Sequence, residues 1–445
     1  MPSRRSLLGA AGLLGLAAQR EAKAQDAARR ATRGMPSPKI TDVSVIETQP
    51  ANARLIVVKV MTDQPGLYGY GCGTYTQRAE LVKVAVEKYL KPFLIGQLAD
   101  RIDDVWQACY NSSYWRNGPV LNNAISGVDQ ALWDIKGRQA NMPVYQLLGG
   151  KCREAVDLYT GVGGNDVAQI ADSIRKAQAA GYRYFRFNLG GRGRRDDENA
   201  GPRPKQTLHS RPVFDRATYP RKLVQTIDGL RKEFGEEVEL MHDVHEKITP
   251  TQALQLCKDV EQYKLFFLED PVSPEDLAYY RLIRQQCTTP LAMGELFNSP
   301  HEWLPLISER LIDYIRIHVS QAGGVTPCRK IAALGEFFNV RTALHGPGDV
   351  SPVGHCANVS LSIAAYNFGI QEITAFNEQT HEIFKGCPVV KDGYGWVNEA
   401  PGWGVEIDEK AAAKYPYRAD TTTSRGRLNG GWGDLRLPDG TVIKQ

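Results

Sequence analysis

Apolar and polar positions alternate with a period of two through the first stretch after Lys39. Val43-Ser44-Val45-Ile46 and Leu55-Ile56-Val57-Val58-Lys59-Val60 predict antiparallel strands. Gly66-Leu67-Tyr68-Gly69-Tyr70-Gly71 predicts a glycine-rich turn. From Ala79 the spacing becomes helical, through Val82, Val86, Tyr89, Leu90 and Phe93. A second helix is predicted over Asn122–Gly137, with Ala124, Ile125, Val128, Ala131, Leu132 and Ile135 on its apolar side. Strands followed by helices make an α+β unit over 39–150.

From about Val156 the two periods alternate. Tyr184–Phe187, Val238–Met241, Leu265–Leu268, Leu291–Met293, Tyr314–Ile317 and Val340–Ala343 read as strands. Val167–Ala180, Tyr219–Phe234, Thr249–Tyr263, Pro274–Gln286, Trp303–Ile307 and Thr326–Phe338 read as the helices between them. Repeated βα units imply a parallel sheet. About eight of them would close a TIM-type barrel of roughly 200–250 residues. A doubly wound open sheet is the alternative, and the lack of a glycine-rich phosphate loop after an early strand weighs against it.

Composition adds little to this outline. The chain has 445 residues, 42% hydrophobic and 23% charged, with a net charge of +4. Basic and acidic residues are mixed, which gives no reason to expect a nucleic acid or a membrane surface as partner. The run Arg192, Arg194, Arg195, Asp196, Asp197, Glu198 reads as a solvated loop. The N-terminus differs: Arg4-Arg5 precede Leu7-Leu8, an uncharged stretch from Gly9 to Gln19, and the small-x-small site Ala22-Lys23-Ala24. Residues 1–24 therefore read as a twin-arginine-type signal peptide directing the protein to the periplasm, and 25–38 as a linker. The eight cysteines show no C-x-x-C pair and read as ordinary buried thiols.

The chemistry lies in the spacing of acids at strand ends. Asp243 follows Glu239-Leu240-Met241-His242, Glu269 follows Phe266-Phe267-Leu268, and Glu295 follows Met293-Gly294, at intervals of 26 and 26 residues. Each interval is one βα unit, so all three would face one pocket at the C-terminal rim of a barrel. Three carboxylates there repel one another unless a cation lies between them, and a hard divalent ion such as Mg²⁺ takes oxygen ligands of this kind. His345, 50 residues after Glu295, falls at a strand end on the same rim and is a candidate for proton transfer. His245, two residues after Asp243, is expected on the same side of an extended strand and is a second candidate. His318 is divided between a structural and an active-site role.

These residues resemble the enolase superfamily, and within it the mannonate dehydratase-like, or starvation-sensing, group of the mandelate racemase/muconate lactonizing enzyme family. The resemblance covers nearly all of residues 39–416. It is carried by Ala131–Lys136 with Pro143–Gly150, His242-Asp243-Val244-His245, Phe267–Asp270, Gly294–Ser299, Ala322–Thr326 and Phe368–Glu372. It implies an N-terminal α+β capping domain, 39–150, over a modified barrel, 151–385, with 386–445 completing the cap. It also implies Mg²⁺ on Asp243, Glu269 and Glu295, and proton transfer shared by His245 and His345. Arg186 would be a site arginine and Glu372 a carboxylate near the substrate, with Asp349, Thr76 and Asn188 in the substrate shell. A small-molecule sugar acid and a homo-oligomeric state follow from the same likeness.

The chain departs from that group in its substrate shell. The loop Gly190–Ala200 lacks the tyrosine that mannonate dehydratases place there, and Tyr219 reads as part of the next helix. Thr76 stands where the group usually has asparagine, and no tryptophan follows Asp439-Gly440-Thr441-Val442. Arg186 and Asn188 replace the lysine pair of racemase-type members. The expected reaction is dehydration of an aldonate, such as D-mannonate or D-gluconate, to a 2-keto-3-deoxy acid. α-Proton abstraction and β-hydroxyl elimination would carry it. A racemase or epimerase, or a catalytically weak sugar-acid binding or sensing protein, are the alternatives.

Overall fold

The computed structural model describes residues 34–189, 214–373, 375–418 and 435–444, with Gln19 and Lys23 as isolated positions. The proposed signal peptide, most of the linker, the run at 192–198, the loop Gly190–Ala200 and His209 lie outside the described residues.

The first unit is an antiparallel sheet of β1 (Ile40–Thr48), β2 (Leu55–Thr62) and β3 (Tyr68–Cys72). Helices α1 (Ala79–Val84), α2 (Ile102–Asn111) and α3 (Pro119–Ala140) cover it. The stretch expected as a glycine turn is largely β3. Its glycines serve a close approach: a Cβ on Gly71 would stand 1.9 Å from the carbonyl oxygen of Gly127 on α3. The strand can therefore lie directly against the helix backbone.

The second unit is a closed parallel barrel. Its eight strands are β4 (Val156–Gly164), β5 (Tyr184–Leu189), β6 (Glu239–Asp243), β7 (Phe267–Glu269), β8 (Leu291–Met293), β9 (Tyr314–Ile315), β10 (Arg341–Thr342) and β11 (Gln371–Glu372). Strands β4 to β10 pair in sequence order, β11 pairs with β4, and a bridge from Thr342 to Phe368 closes the ring. Among the described residues, seven helices alternate with the strands: α4 (Val167–Ala179), α5 (Tyr219–Phe234), α6 (Pro250–Val260), α7 (Tyr279–Arg284), α8 (Pro300–Ser308), α9 (Val325–Phe337) and α10 (Pro352–Ala364). The open doubly wound alternative is thereby excluded.

The barrel interior is built in layers, as strand pleating requires. Tyr159, Met241, Phe267, Ala292, Tyr314, Ala343 and Ile370, with Tyr184 beside them, form one inward apolar layer to which every strand contributes. The next inward position is two residues further along each strand. Those positions are Arg186, Asp243, Glu269, Arg316, His345 and Glu372, with glycines, Gly161 and Gly294, on β4 and β8. The charged layer is thus the same face of the same strands, one pleat nearer the C-terminal rim.

The segment expected to complete the cap is divided in its packing. β12 (Val389–Lys391) and β13 (Tyr394–Trp396) extend the barrel sheet beside β4, because Gly395 and Tyr394 pair with Val156 and Asp157. Trp403 and Tyr415 reach the first unit, through Asp134 and Gln49 respectively. β14 (Leu435–Arg436) returns to the barrel side, with its Arg436 carbonyl accepting from Phe214 N–H.

Gly71→Ala is expected to destabilise the protein by about 2–3 kcal/mol, since the added methyl meets backbone rather than a movable side chain. A denaturant or thermal midpoint equal to wild type would show that β3 and α3 are not in this contact.

Candidate active site

Arg316 is the centre of the charged layer and has no exposed surface. Its Nε donates to Glu269 Oε1. Its Nη2 lies 3.1 Å from Glu372 Oε2 and 3.7 Å from Glu295 Oε2, and Nη1 donates to the Ala343 carbonyl at 3.2 Å. Arg186 stands opposite, with Nη2 at 3.1 Å from Glu372 Oε1 and Nη1 at 3.5 Å from Glu269 Oε2 and 3.9 Å from Asp243 Oδ2. Both guanidiniums lie over the ring of Tyr159, at 5.3 and 5.5 Å from its centroid. Burial works against ionising Glu372, but Arg186, Arg316 and His345 outweigh it and hold the group well below the usual carboxylate range.

Glu295 is one residue out of step with the layer because the in-register position is Gly294. That glycine has φ of +140°, and a Cβ there would stand 3.1 Å from the Arg316 amide nitrogen. The turn lets β8 pass close to β9 and carries Glu295 over the rim. There it lies 2.8 Å from His345 Nδ1 and 3.5 Å from His245 Nε2. His345 Nε2 is 3.6 Å from Asp349 Oδ1. Burial alone would disfavour the imidazolium, but Glu295, Asp349 and Glu372 push His345 up to about 10.

His245 reaches this place by a different route from the one expected. The strand ends at Asp243, and His245 and Glu246 both take left-handed backbone, φ +57° and +59°. Period-two alternation does not apply beyond the strand; the turn itself brings the ring to Glu295.

The carboxylates fit a divalent cation. Oxygens of Asp243, Glu269 and Asp270 lie within 4.8 Å of one another. Asp243 Oδ1, Glu269 Oε2 and Asp270 Oδ1 are buried without a hydrogen-bond partner. Orphaned buried carboxylate oxygens are costly unless a cation satisfies them. Six carboxylates (Asp243, Glu269, Asp270, Glu295, Asp349, Glu372) face two guanidiniums and the His345 imidazolium, so positive charge is in deficit, and a divalent ion would offset most of it. Burial, reinforced by neighbouring acids, raises Glu269 and raises Asp270 well above their ordinary values. Asp270 and Arg316 were not among the expected site residues. The tight trio holds Asp270 in the place expected of Glu295, which is drawn off by the imidazole of His345.

The remaining expected residues are distributed as follows. Asn188 lies on the same face of β5 as Arg186, one pleat further on. Thr76 is tied to the first unit, its Oγ1 accepting from Arg54 N–H at 2.9 Å. Tyr219 opens α5 on the outside of the barrel, where its hydroxyl donates to His242 Nε2 at 2.6 Å while His242 Nδ1 donates to the Phe187 carbonyl. It is therefore a packing residue, as its helical position suggests.

The α+β unit closes the rim from above. Asn122 Nδ2 on α3 donates to the carbonyls of Asn298 and Gln321, at 2.7 and 2.8 Å, and Asp129 accepts from Thr326 N–H at 3.0 Å. A capped parallel barrel with a cation-fitting carboxylate set at its C-terminal rim defines a metal-dependent barrel enzyme of the enolase type.

Comparison with known proteins agrees. A family model described as the enolase C-terminal domain-like family matches residues 169–411. The mandelate racemase/muconate lactonizing enzyme N-terminal domain matches residues 11–149. The D-galactonate dehydratase family member RspA of Pantoea ananatis is 48% identical over 417 residues, covering 91% of this chain and 98% of that protein. A member of the same family from Enterococcus gallinarum is 46% identical over 404 residues, covering 91% and 98%. Among solved structures, an enolase from Pantoea ananatis with bound D-gluconate and Mg superposes with a TM-score of 0.87 at 48% identity, covering 92% of this chain and all of that one. A putative galactarate dehydratase from Agrobacterium radiobacter, with Na and L-malate, gives 0.76 at 27% identity and the same coverage. The chain belongs to the enolase superfamily, with both mandelate racemase/muconate lactonizing enzyme domains, and within it to the D-galactonate dehydratase family.

Two outcomes follow. Mg²⁺ binding should release protons, because the raised carboxyls of Glu269 and Asp270 hold them in the metal-free site. Lower pH keeps those protons bound, so the apparent affinity should climb as pH rises from 6 towards 9. Calorimetry in buffers of different ionisation enthalpy reads this directly, and a pH-independent affinity would contradict it. Arg316→Met should cost about 3–5 kcal/mol, since it leaves buried carboxylates uncompensated; an unchanged unfolding midpoint would count against the arginine as the hub.

Proposed function

We propose that the protein is a magnesium-dependent hydro-lyase that dehydrates a sugar acid, an aldonate of the D-gluconate or D-mannonate kind, to a 2-keto-3-deoxy acid. The observation that carries this reading is His345 held between Glu295 and Asp349 at the edge of the cation-fitting carboxylates. The bound D-gluconate and Mg of the Pantoea ananatis relative support the same substrate class and the same cofactor.

Asp243, Glu269 and Glu295 would hold the ion, with Asp270 behind them. When bound, the cation supplies positive charge beside the substrate carboxylate, which makes the neighbouring C–H more acidic. Arg186 and Arg316 add fixed positive charge in a water-poor layer, where it needs no reorganisation. His245 takes the α-proton. His345, kept as imidazolium by its carboxylate partners, gives its proton to the departing β-hydroxyl, which leaves as water. The enol that remains tautomerises to the 2-keto acid. Asn188, Asp349 and Glu372 present polar groups to the hydroxyls of the chain, and Thr76 stands in the cap above. The same reading includes export of the folded protein to the periplasm and a homo-oligomeric state.

A panel of D-gluconate, D-mannonate and D-galactonate with purified protein and Mg²⁺, read as 2-keto product, decides the reaction. His345→Asn should lower kcat by about 10²–10⁴ with Mg²⁺ binding retained. Absence of turnover on every acid with metal bound would sink the dehydratase reading. Exchange of the α-hydrogen without loss of water would favour the epimerase.

A further inference from the structure

His318 stands two residues beyond Arg316 and is bridged to His345 across β9 and β10. The two rings stack at 5.0 Å with 27° between their planes. A ring nitrogen of each histidine and a carboxylate oxygen of Asp349 all lie within 4.8 Å of one another. Two histidines and one carboxylate is the composition of a transition-metal site. The backbone rules that role out. Nδ1 of His318 accepts from the amides of Ser320 at 3.1 Å and Gln321 at 3.4 Å, so that nitrogen carries no proton. Burial pushes His318 down to about 4, so the ring is neutral and its one proton sits on Nε2. A protonated Nε2 donates and does not ligate. A complementary acceptor lies in the same cluster: Asp349 Oδ1 is buried and, beyond its 3.6 Å contact with His345 Nε2, has no hydrogen-bond partner.

We propose that His318 is a positioning residue whose Nε2–H donates to Asp349 and so holds that carboxylate against Nε2 of His345, while Glu295 holds Nδ1 from the other side. The imidazole of His345 is then fixed at both nitrogens, and its orientation towards the substrate is set by a residue that touches no substrate. Its service to a proton transfer rests on the dehydratase reading; the tautomer and the contact do not.

Two variants separate this role from a purely structural one. The amides of Ser320 and Gln321 also shape the loop that meets the cap, where Asn122 reaches the Gln321 carbonyl. His318→Asn keeps an acceptor for those amides and places no donor at the reach of Nε2. His318→Gln places an amide N–H there. In the full-length Mg²⁺-loaded protein, His318→Asn should lower kcat about 10–100-fold, the usual effect of losing an orienting partner. KM and the melting temperature should barely move, and His318→Gln should recover most of the loss. Asn as active as wild type would overturn the proposal. Histidine-labelled ¹⁵N spectra provide the readout that needs no turnover. The expected His318 signal is an Nε2–H tautomer with a downfield proton that moves upfield in Asp349→Ala. An Nδ1–H tautomer, or a proton indifferent to Asp349, would overturn the proposal. Wild-type protein that dehydrates no sugar acid would sink the functional reading and leave the spectra to decide the contact.

Discussion

The guanidinium of Arg316 is fully buried, so its charge must be balanced where it stands. It meets Glu269 from β7, Glu295 from beyond β8 and Glu372 from β11. A buried cation with these partners fixes the carboxylates in position and is itself fixed by them. Every other feature of the rim depends on that arrangement. Arg186 completes the charge balance on Glu372, Tyr159 offers its ring face to both guanidiniums, and the carboxylate oxygens left over point to a common place for a cation.

A single pleat separates this layer from an ordinary hydrophobic interior. Met241, Phe267, Tyr314, Ala343 and Ile370 pack against one another, and two residues later come Asp243, Glu269, Arg316, His345 and Glu372. The apolar layer is a dry floor beneath the charges. It keeps water from below, strengthens the electrostatic interactions above and anchors each strand so that the charged side chains need little freedom. Gly161 and Gly294 are the inward positions without a side chain, and the offset at Gly294 sends Glu295 towards the two histidines.

Much of this was legible in the chain. Asp243, Glu269, His345 and Glu372 each follow a short apolar run at the spacing of βα units, and that spacing located the rim. Arg316 was not legible, because Tyr314-Ile315-Arg316-Ile317 also reads as a strand with a solvent-facing arginine. Counting two residues on from the inward Tyr314 is the signal that finds it. Asp270 read only as a strand terminator. His245 was expected near the carboxylates by strand alternation, whereas a left-handed turn not visible in a residue pattern brings it to Glu295. Helix α10 gave no periodic signal, for nearly all its residues are buried and no stripe distinguishes one face. The loop Gly190–Ala200 and the proposed leader lie outside the described residues.

The rim is one cation-fitting site organised around Arg316. Anomalous diffraction from crystals soaked in Mn²⁺, a stand-in for Mg²⁺, locates the ion without reference to activity. One peak is expected, ligated by Asp243, Glu269 and one oxygen of Glu295, with the other Glu295 oxygen still on His345 Nδ1 and Arg316 still paired to Glu269 and Glu372. A peak ligated by Asp270 in place of Glu295, or none within reach of Asp243 and Glu269, would contradict the account.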